Sequence, residues 1–90
     1  MLTRRIVVHG RVQGVGYRDA LCAQAQSRNV AGWVRNCSDG TVEAVLQGDA
    51  HSVQAVISWA HRGPPAAQVT HIDVQEHCGT FSSFARRPSA

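Results

Sequence analysis

Apolar and polar positions alternate along some stretches of this chain and recur every three or four residues along others. The switches between the two periods mark its elements. Arg5-Ile6-Val7-Val8-His9 is β-branched with three apolar residues in a row, which predicts a central strand. A glycine loop follows, Gly10-Arg11-Val12-Gln13-Gly14-Val15-Gly16-Tyr17-Arg18. From Arg18 to about Arg28 the pattern becomes helical: Leu21, Cys22 and Ala25 share a face, and alanine and glutamine favour the helix. Asp19 suits the positive end of that helix, and Asn29 is a candidate left-handed stop.

Period two returns in Ala31–Cys37, is broken by Ser38-Asp39-Gly40, and resumes in Thr41–Gln47 with Val42, Ala44 and Leu46 on one side. An Asp-Gly pair between two such runs is a strong hairpin signal. Asp49 then caps a second helix, whose Val53, Val56, Ile57 and Ala60 fall at i, i+3, i+4 and i+7, with Trp59 at the edge of that stripe. Gly63 and the Pro64-Pro65 pair end it. Val69–Gln75 predicts a fourth strand with Ile72 and Val74 facing alike, and Phe84–Arg87 a short edge strand. The order β-α-β-β-α-β, with that short fifth strand, predicts an α+β ferredoxin-like sandwich. Each helix crosses back over a mostly antiparallel sheet, and both cover one face. Ninety residues predict a single domain, 1–90.

Composition narrows the function classes. Nine Lys or Arg against six Asp or Glu give +3, and every one of the nine is arginine. This mild excess suits an anionic substrate or weak nucleic-acid attraction. No run is long enough for a membrane span, and the first residues lack a leader's apolar core and cleavage site, so a cytoplasmic protein is expected. Cys22, Cys37 and Cys78 form no disulfide pattern, and the five histidines have no metal-ligand spacing. No metal and no cofactor are expected.

The candidate chemistry lies in the glycine loop. Gly14 and Gly16 allow positive φ, so successive N–H groups can turn to one side and hold an anion. The helix starting near Tyr17 adds unpaired N–H groups and the positive end of its dipole. Arg18 adds a permanent charge and a planar fork that fits phosphate oxygens. A Walker loop is excluded because the chain has no lysine, and a dinucleotide fingerprint because Asp19 stands where its third glycine belongs. Asn36, before the Asp39-Gly40 turn, carries a neutral amide that both donates and accepts. Such a group can hold a water beside a bound phosphate.

Together, Gly10–Arg18, Gly32-Trp33-Val34-Arg35-Asn36, Gly63-Pro64-Pro65 and Phe81-Ser82-Ser83-Phe84 resemble the acylphosphatase family over nearly the whole chain and in order. The resemblance implies a small, metal-free hydrolase that converts acyl phosphates to a carboxylate and inorganic phosphate. It implies that Arg18 and the backbone N–H groups of Gly14, Val15, Gly16, Tyr17 and Arg18 bind the phosphate, and that Asn36 positions the attacking water. A monomer is the expected state.

Two departures stand out. Tyr17 replaces a phenylalanine common in the family, and its hydroxyl is a candidate to reach the pocket. Three residues follow Arg87, so the contact that some relatives make between the terminal carboxylate and the arginine is not carried over. His9 and Asp19 are assigned structural roles, Asp19 at the helix start. The alternative function is a non-catalytic anion- or protein-binding module on the same fold, which would need the cradle but not Asn36. Single-stranded RNA binding is disfavoured because only Trp33 and Tyr17 are near the right strands and they form no paired aromatic motif.

Overall fold

Seven elements follow in the order β1 (Leu2–Arg11), α1 (Tyr17–Ser27), β2 (Ala31–Asn36), β3 (Val42–Gly48), α2 (Ala50–Ala60), β4 (Gln68–Glu76) and β5 (Phe84–Arg86). The structure is a computed structural model and describes residues 1–89. The strands form one sheet in the order β4-β1-β3-β2-β5. All neighbours are antiparallel except β2 and β5, which run parallel. This is the α+β ferredoxin-like arrangement that the pattern predicts.

Strands β1 and β4 run longer than the alternation suggests, because ladder hydrogen bonds are made by the backbone and do not depend on side-chain polarity. β1 is paired along most of its length, to β3 on one side and to β4 on the other, and so extends from Leu2 to Arg11 rather than over Arg5–His9. It is an interior strand, but the middle of the sheet is β3, whose residues Val42 to Gln47 are all buried.

The core lies between the sheet and both helices. Ile6, Val8, Val34, Val42, Ala44, Leu46, Ile72 and Phe84 supply its sheet side. Val53, Val56, Ile57 and Ala60 of α2 are all buried, as their spacing predicts. Each Val or Ile so placed contributes about 1.5–3 kcal/mol of transfer free energy. The Asp49 carboxylate accepts hydrogen bonds from the His51 and Ser52 amides and caps that helix. Asn29 ends the first helical segment in the left-handed region, with φ 56°.

Two expectations about faces change. The buried stripe of α1 is Tyr17, Leu21 and Ala25, with Cys22 only half-buried at its side. Val74 faces the same way as Ile72 but is 46% exposed. It lies on the edge strand β4, whereas α2 packs against β1 and β3.

The uncovered face of the sheet is mixed, with Val7, Trp33 and Val45 around a charged group. Its centre is Glu43, 6% exposed, between Arg5 and Arg35. Burial raises the Glu43 pKa, but hydrogen bonds from the two guanidinium groups outweigh it and hold the carboxyl below its usual range. His9 and His71 both bond Asp73 on this face, so His9 lies within its strand and does not end it.

Strand register decides where the site can form. Val8 pairs with Val42, and Val42 pairs with Asn36, so the last residue of β2 lies level with the last turn of β1 before the glycine loop. β5 runs parallel to β2, with Arg86 opposite Val34, and so finishes at the same end of the sheet. The loop after β1, the end of β2 and the end of β5 therefore converge.

Candidate active site

Backbone conformation shapes the loop. Gly14 and Gly16 have φ 73° and 80°, in the left-handed region that costs other residues about 1–2 kcal/mol. A Cβ at either would meet nothing within 4 Å, so conformation rather than crowding calls for glycine here, and the loop faces open space. Gly16 is the N-cap of α1, and no side chain caps the helix. The first amides of α1 therefore keep donors available to a ligand.

The loop is fastened on both sides. Before it, the Gln13 amide donates to the carbonyls of Cys37 and Thr41 at 2.8 and 2.9 Å. Those two residues bracket the hairpin turn that follows Asn36, so one side chain couples the cradle to the strand end carrying the amide. After it, the ring of Tyr17 is 1% exposed and its hydroxyl donates to the Ala60 carbonyl at 2.7 Å. The hydroxyl thus points to the end of α2 and does not reach for the ligand, contrary to the expectation from sequence. Burial also pushes it well above the usual phenol range, so it stays a neutral donor.

A pocket of about 200 Å³ opens inside this frame, lined by Val12, Gly14, Gly16, Tyr17, Arg18, Asp19, Asn36 and Arg86. The structure thus brings Arg18 and Asn36 into one cavity. Asn36 shares the parity of Val34 in β2, so its amide is on the helix side of the sheet. Its Oδ1 is buried and has no hydrogen-bond partner among the described residues. An orphaned buried acceptor costs about 1–3 kcal/mol, which a water or ligand donor would recover. Arg18 is half-buried, and its Nη1 donates to the Arg87 carbonyl at 3.3 Å. The C-terminal segment therefore does approach this arginine, through a backbone carbonyl. Val15 does not line the pocket; its side chain packs on the core.

Asp19 and Arg86 are the residues that sequence reasoning did not place in the pocket. The Arg86 guanidinium donates to Asp19 Oδ1 at 2.5 Å, so Asp19 serves more than the helix start. Period two contained a signal for Arg86: Phe84 faces the core, so Arg86 two residues later faces the same side. Cys22 lies one turn beyond Arg18. Burial pushes its thiol up, as does the Asp19 carboxylate, against a smaller opposing pull from Arg86, which makes it a poor nucleophile.

Two other hollows lack this equipment. One of about 280 Å³ between Gln26, Asn29 and Ser82–Phe84 has no charged lining residue. The other, about 420 Å³, lies between Arg28, Trp59 and Arg62, away from residues 14–18. Among the described residues no group of three or more His, Cys, Asp or Glu side chains could hold a metal ion. No described helix is long and apolar enough to cross a membrane.

Known proteins resemble this chain in sequence and in fold. The acylphosphatase family model matches residues 4–85. An acylphosphatase of Cupriavidus necator is 48% identical over 87 residues, covering 97% of this chain and 95% of that protein. One from Thermococcus kodakarensis is 54% identical over 68 residues, covering 76% of this chain and 75% of that protein. The crystal structure of an acylphosphatase from Bacillus subtilis superposes with a TM-score of 0.92 at 38% identity, covering 97% of this chain and 99% of that one.

Proposed function

The chain belongs to the acylphosphatase family, and we propose that its pocket hydrolyses acyl phosphates with Arg18 and the 14–18 loop holding the phosphoryl group and Asn36 holding the attacking water. The observation that carries these roles is the buried, unpartnered Oδ1 of Asn36 in the same cavity as Arg18. A non-catalytic anion cradle would have no use for that acceptor.

The phosphoryl oxygens accept hydrogen bonds from the backbone amides of Gly14, Val15, Gly16, Tyr17 and Arg18, and Arg18 adds its charge. A water donates a hydrogen bond to Asn36 Oδ1, which turns its lone pair toward phosphorus. The new O–P bond forms as the bond from phosphorus to the acyl oxygen breaks. The electron pair leaves with the carboxylate, and the water's proton passes to a phosphoryl oxygen. The products are a carboxylate and inorganic phosphate.

The demands of this step match what the pocket holds. Phosphoryl transfer calls mainly for positioning and charge stabilisation, and a well-placed arginine is worth about 10³–10⁵ in rate. The conjugate acid of the leaving carboxylate has a pKa of about 4, so it departs without a proton donor. A loose transition state needs no strong base. Among the described residues the only carboxylate lining the pocket, Asp19, is already bonded to Arg86. Metal-independent turnover follows from this reading.

The test is hydrolysis of benzoyl phosphate in the presence of EDTA. Fast turnover supports the reading. A folded protein that binds phosphate but leaves benzoyl phosphate intact would make the loop an anion-binding module instead.

A further inference from the structure

The pocket contains a second guanidinium that the phosphoryl step does not use. Arg86 lines the same cavity as Arg18 and Asn36, and its side chain is 49% exposed. Asn36 Oδ1 is buried. The amide thus lies in a closed part of the cavity, and Arg86 stands at its mouth with the exposed Gly14, Gly16 and Asp19. With the phosphoryl group seated in the loop, the acyl group extends toward that mouth, where Arg86 is the exposed side chain with free donors.

Little else there could recognise an acyl group. The apolar lining residues Val12 and Tyr17 are each 1% exposed, so they offer almost no surface to a hydrocarbon tail. Arg86 has five N–H donors, and among the described residues only its Nη1 is engaged, by Asp19 Oδ1. Asp19 therefore fixes the guanidinium at the pocket mouth and leaves most of the fork free. Among the described residues the cavity walls have two arginines and one carboxylate, a net positive charge.

Resting on the acyl phosphate reading above, we infer that Arg86 is a specificity residue for the acyl end. It favours acyl phosphates whose acyl group has its own carboxylate, the monophosphates of dicarboxylic acids, over neutral acyl groups of similar length. The contact is the same in the ground and transition states, so it lowers KM and leaves kcat unaltered. A half-exposed charge pair of this kind is worth about threefold to tenfold.

The experiment compares succinyl phosphate with butyryl phosphate, each corrected for spontaneous hydrolysis, in wild type, Arg86→Gln and Arg86→Lys. The expected result is a kcat/KM ratio favouring succinyl phosphate that falls about threefold to tenfold in Arg86→Gln, through KM. Arg86→Lys should recover part of it, and the preference should weaken with added salt. Turnover of both substrates with a ratio that Arg86→Gln leaves unmoved would overturn this inference and spare the hydrolase reading. Turnover of neither substrate by folded wild type would overturn both.

Discussion

The Tyr17 hydroxyl donates to the Ala60 carbonyl across 43 residues of chain and ties the end of the glycine loop to the end of α2. The chain then turns at Gly63, with φ 67°, where a Cβ would stand 2.8 Å from Tyr17 Cε2. Trp59 packs against the same ring, with centroids 5.7 Å apart. The motif Gly63-Pro64-Pro65 lies far from the phosphate cradle in sequence, yet its glycine is shaped by a loop residue.

Tyr17→Phe should cost about 1 kcal/mol, seen as a drop in Tm of roughly 4–8 °C, because it removes one buried hydrogen bond and keeps the ring. Gly63→Ala should cost more, about 2–4 kcal/mol, since it adds left-handed strain to a collision with that ring. Thermal unfolding of both variants checks the order; a milder effect for Gly63→Ala would contradict it.

Arg18→Ala should reduce benzoyl phosphate turnover by about 10³-fold or more and weaken inhibition by inorganic phosphate. Asn36→Ala should also remove turnover while phosphate still binds, because the amide is assigned to the water and not to the phosphoryl oxygens. Phosphate titration by calorimetry beside kcat separates the two roles. Equal loss of phosphate affinity in both variants would refute the division.

Gln13→Ala should reduce kcat/KM by roughly 10- to 100-fold with only about 0.5–1 kcal/mol lost in stability. The stability cost is small because the acceptors keep other donors: Cys37 O accepts from the Gly40 amide and Thr41 O from the Cys37 amide. The catalytic cost is larger because the loop loses its tie to the strand end bearing Asn36. Urea unfolding together with steady-state kinetics would detect this dissociation of effects.

Glu43→Gln should lower stability at pH 7 by about 1–3 kcal/mol, since it leaves Arg5 and Arg35 without their shared carboxylate. The folded-state pKa of Glu43 is depressed. Its contribution is therefore complete above the ordinary glutamate range, near about 4.3, and is lost as pH falls through the folded value. The variant should lose less stability than wild type between pH 7 and pH 3. Some acid sensitivity should remain, because Asp39 and Asp73 are also held below their usual range, by hydrogen bonds from Thr41 and from His71 and His9. Denaturant midpoints at the two pH values provide the comparison.

Features encoded at short range were legible in the residues themselves. The hairpin follows from Asp39-Gly40 between two alternating runs, the start of α2 from Asp49, and its buried face from the spacing of Val53, Val56, Ile57 and Ala60. The glycine loop proposed as a phosphate cradle was legible because Gly14, Gly16 and Arg18 lie within one turn of chain, where positive φ and a helix start leave a local signature. Asn36 was visible as a candidate through its place at a strand end and through family resemblance.

Tertiary structure alone decided what these groups meet. The Gln13 side chain reaches carbonyls 24 and 28 residues away, and Arg86 finds Asp19 across 67. A side chain bonded to a distant backbone atom leaves no periodicity to read. Burial of Glu43 required three neighbouring strands to place Arg5 and Arg35 on either side of it. The parallel docking of β5 on β2, set by backbone hydrogen bonds at the sheet edge, moved Arg86 into the pocket. Local sequence dictates conformation because φ, ψ and side-chain period are local quantities. The pocket's contents depend on register and topology, which exist only once distant strands have paired.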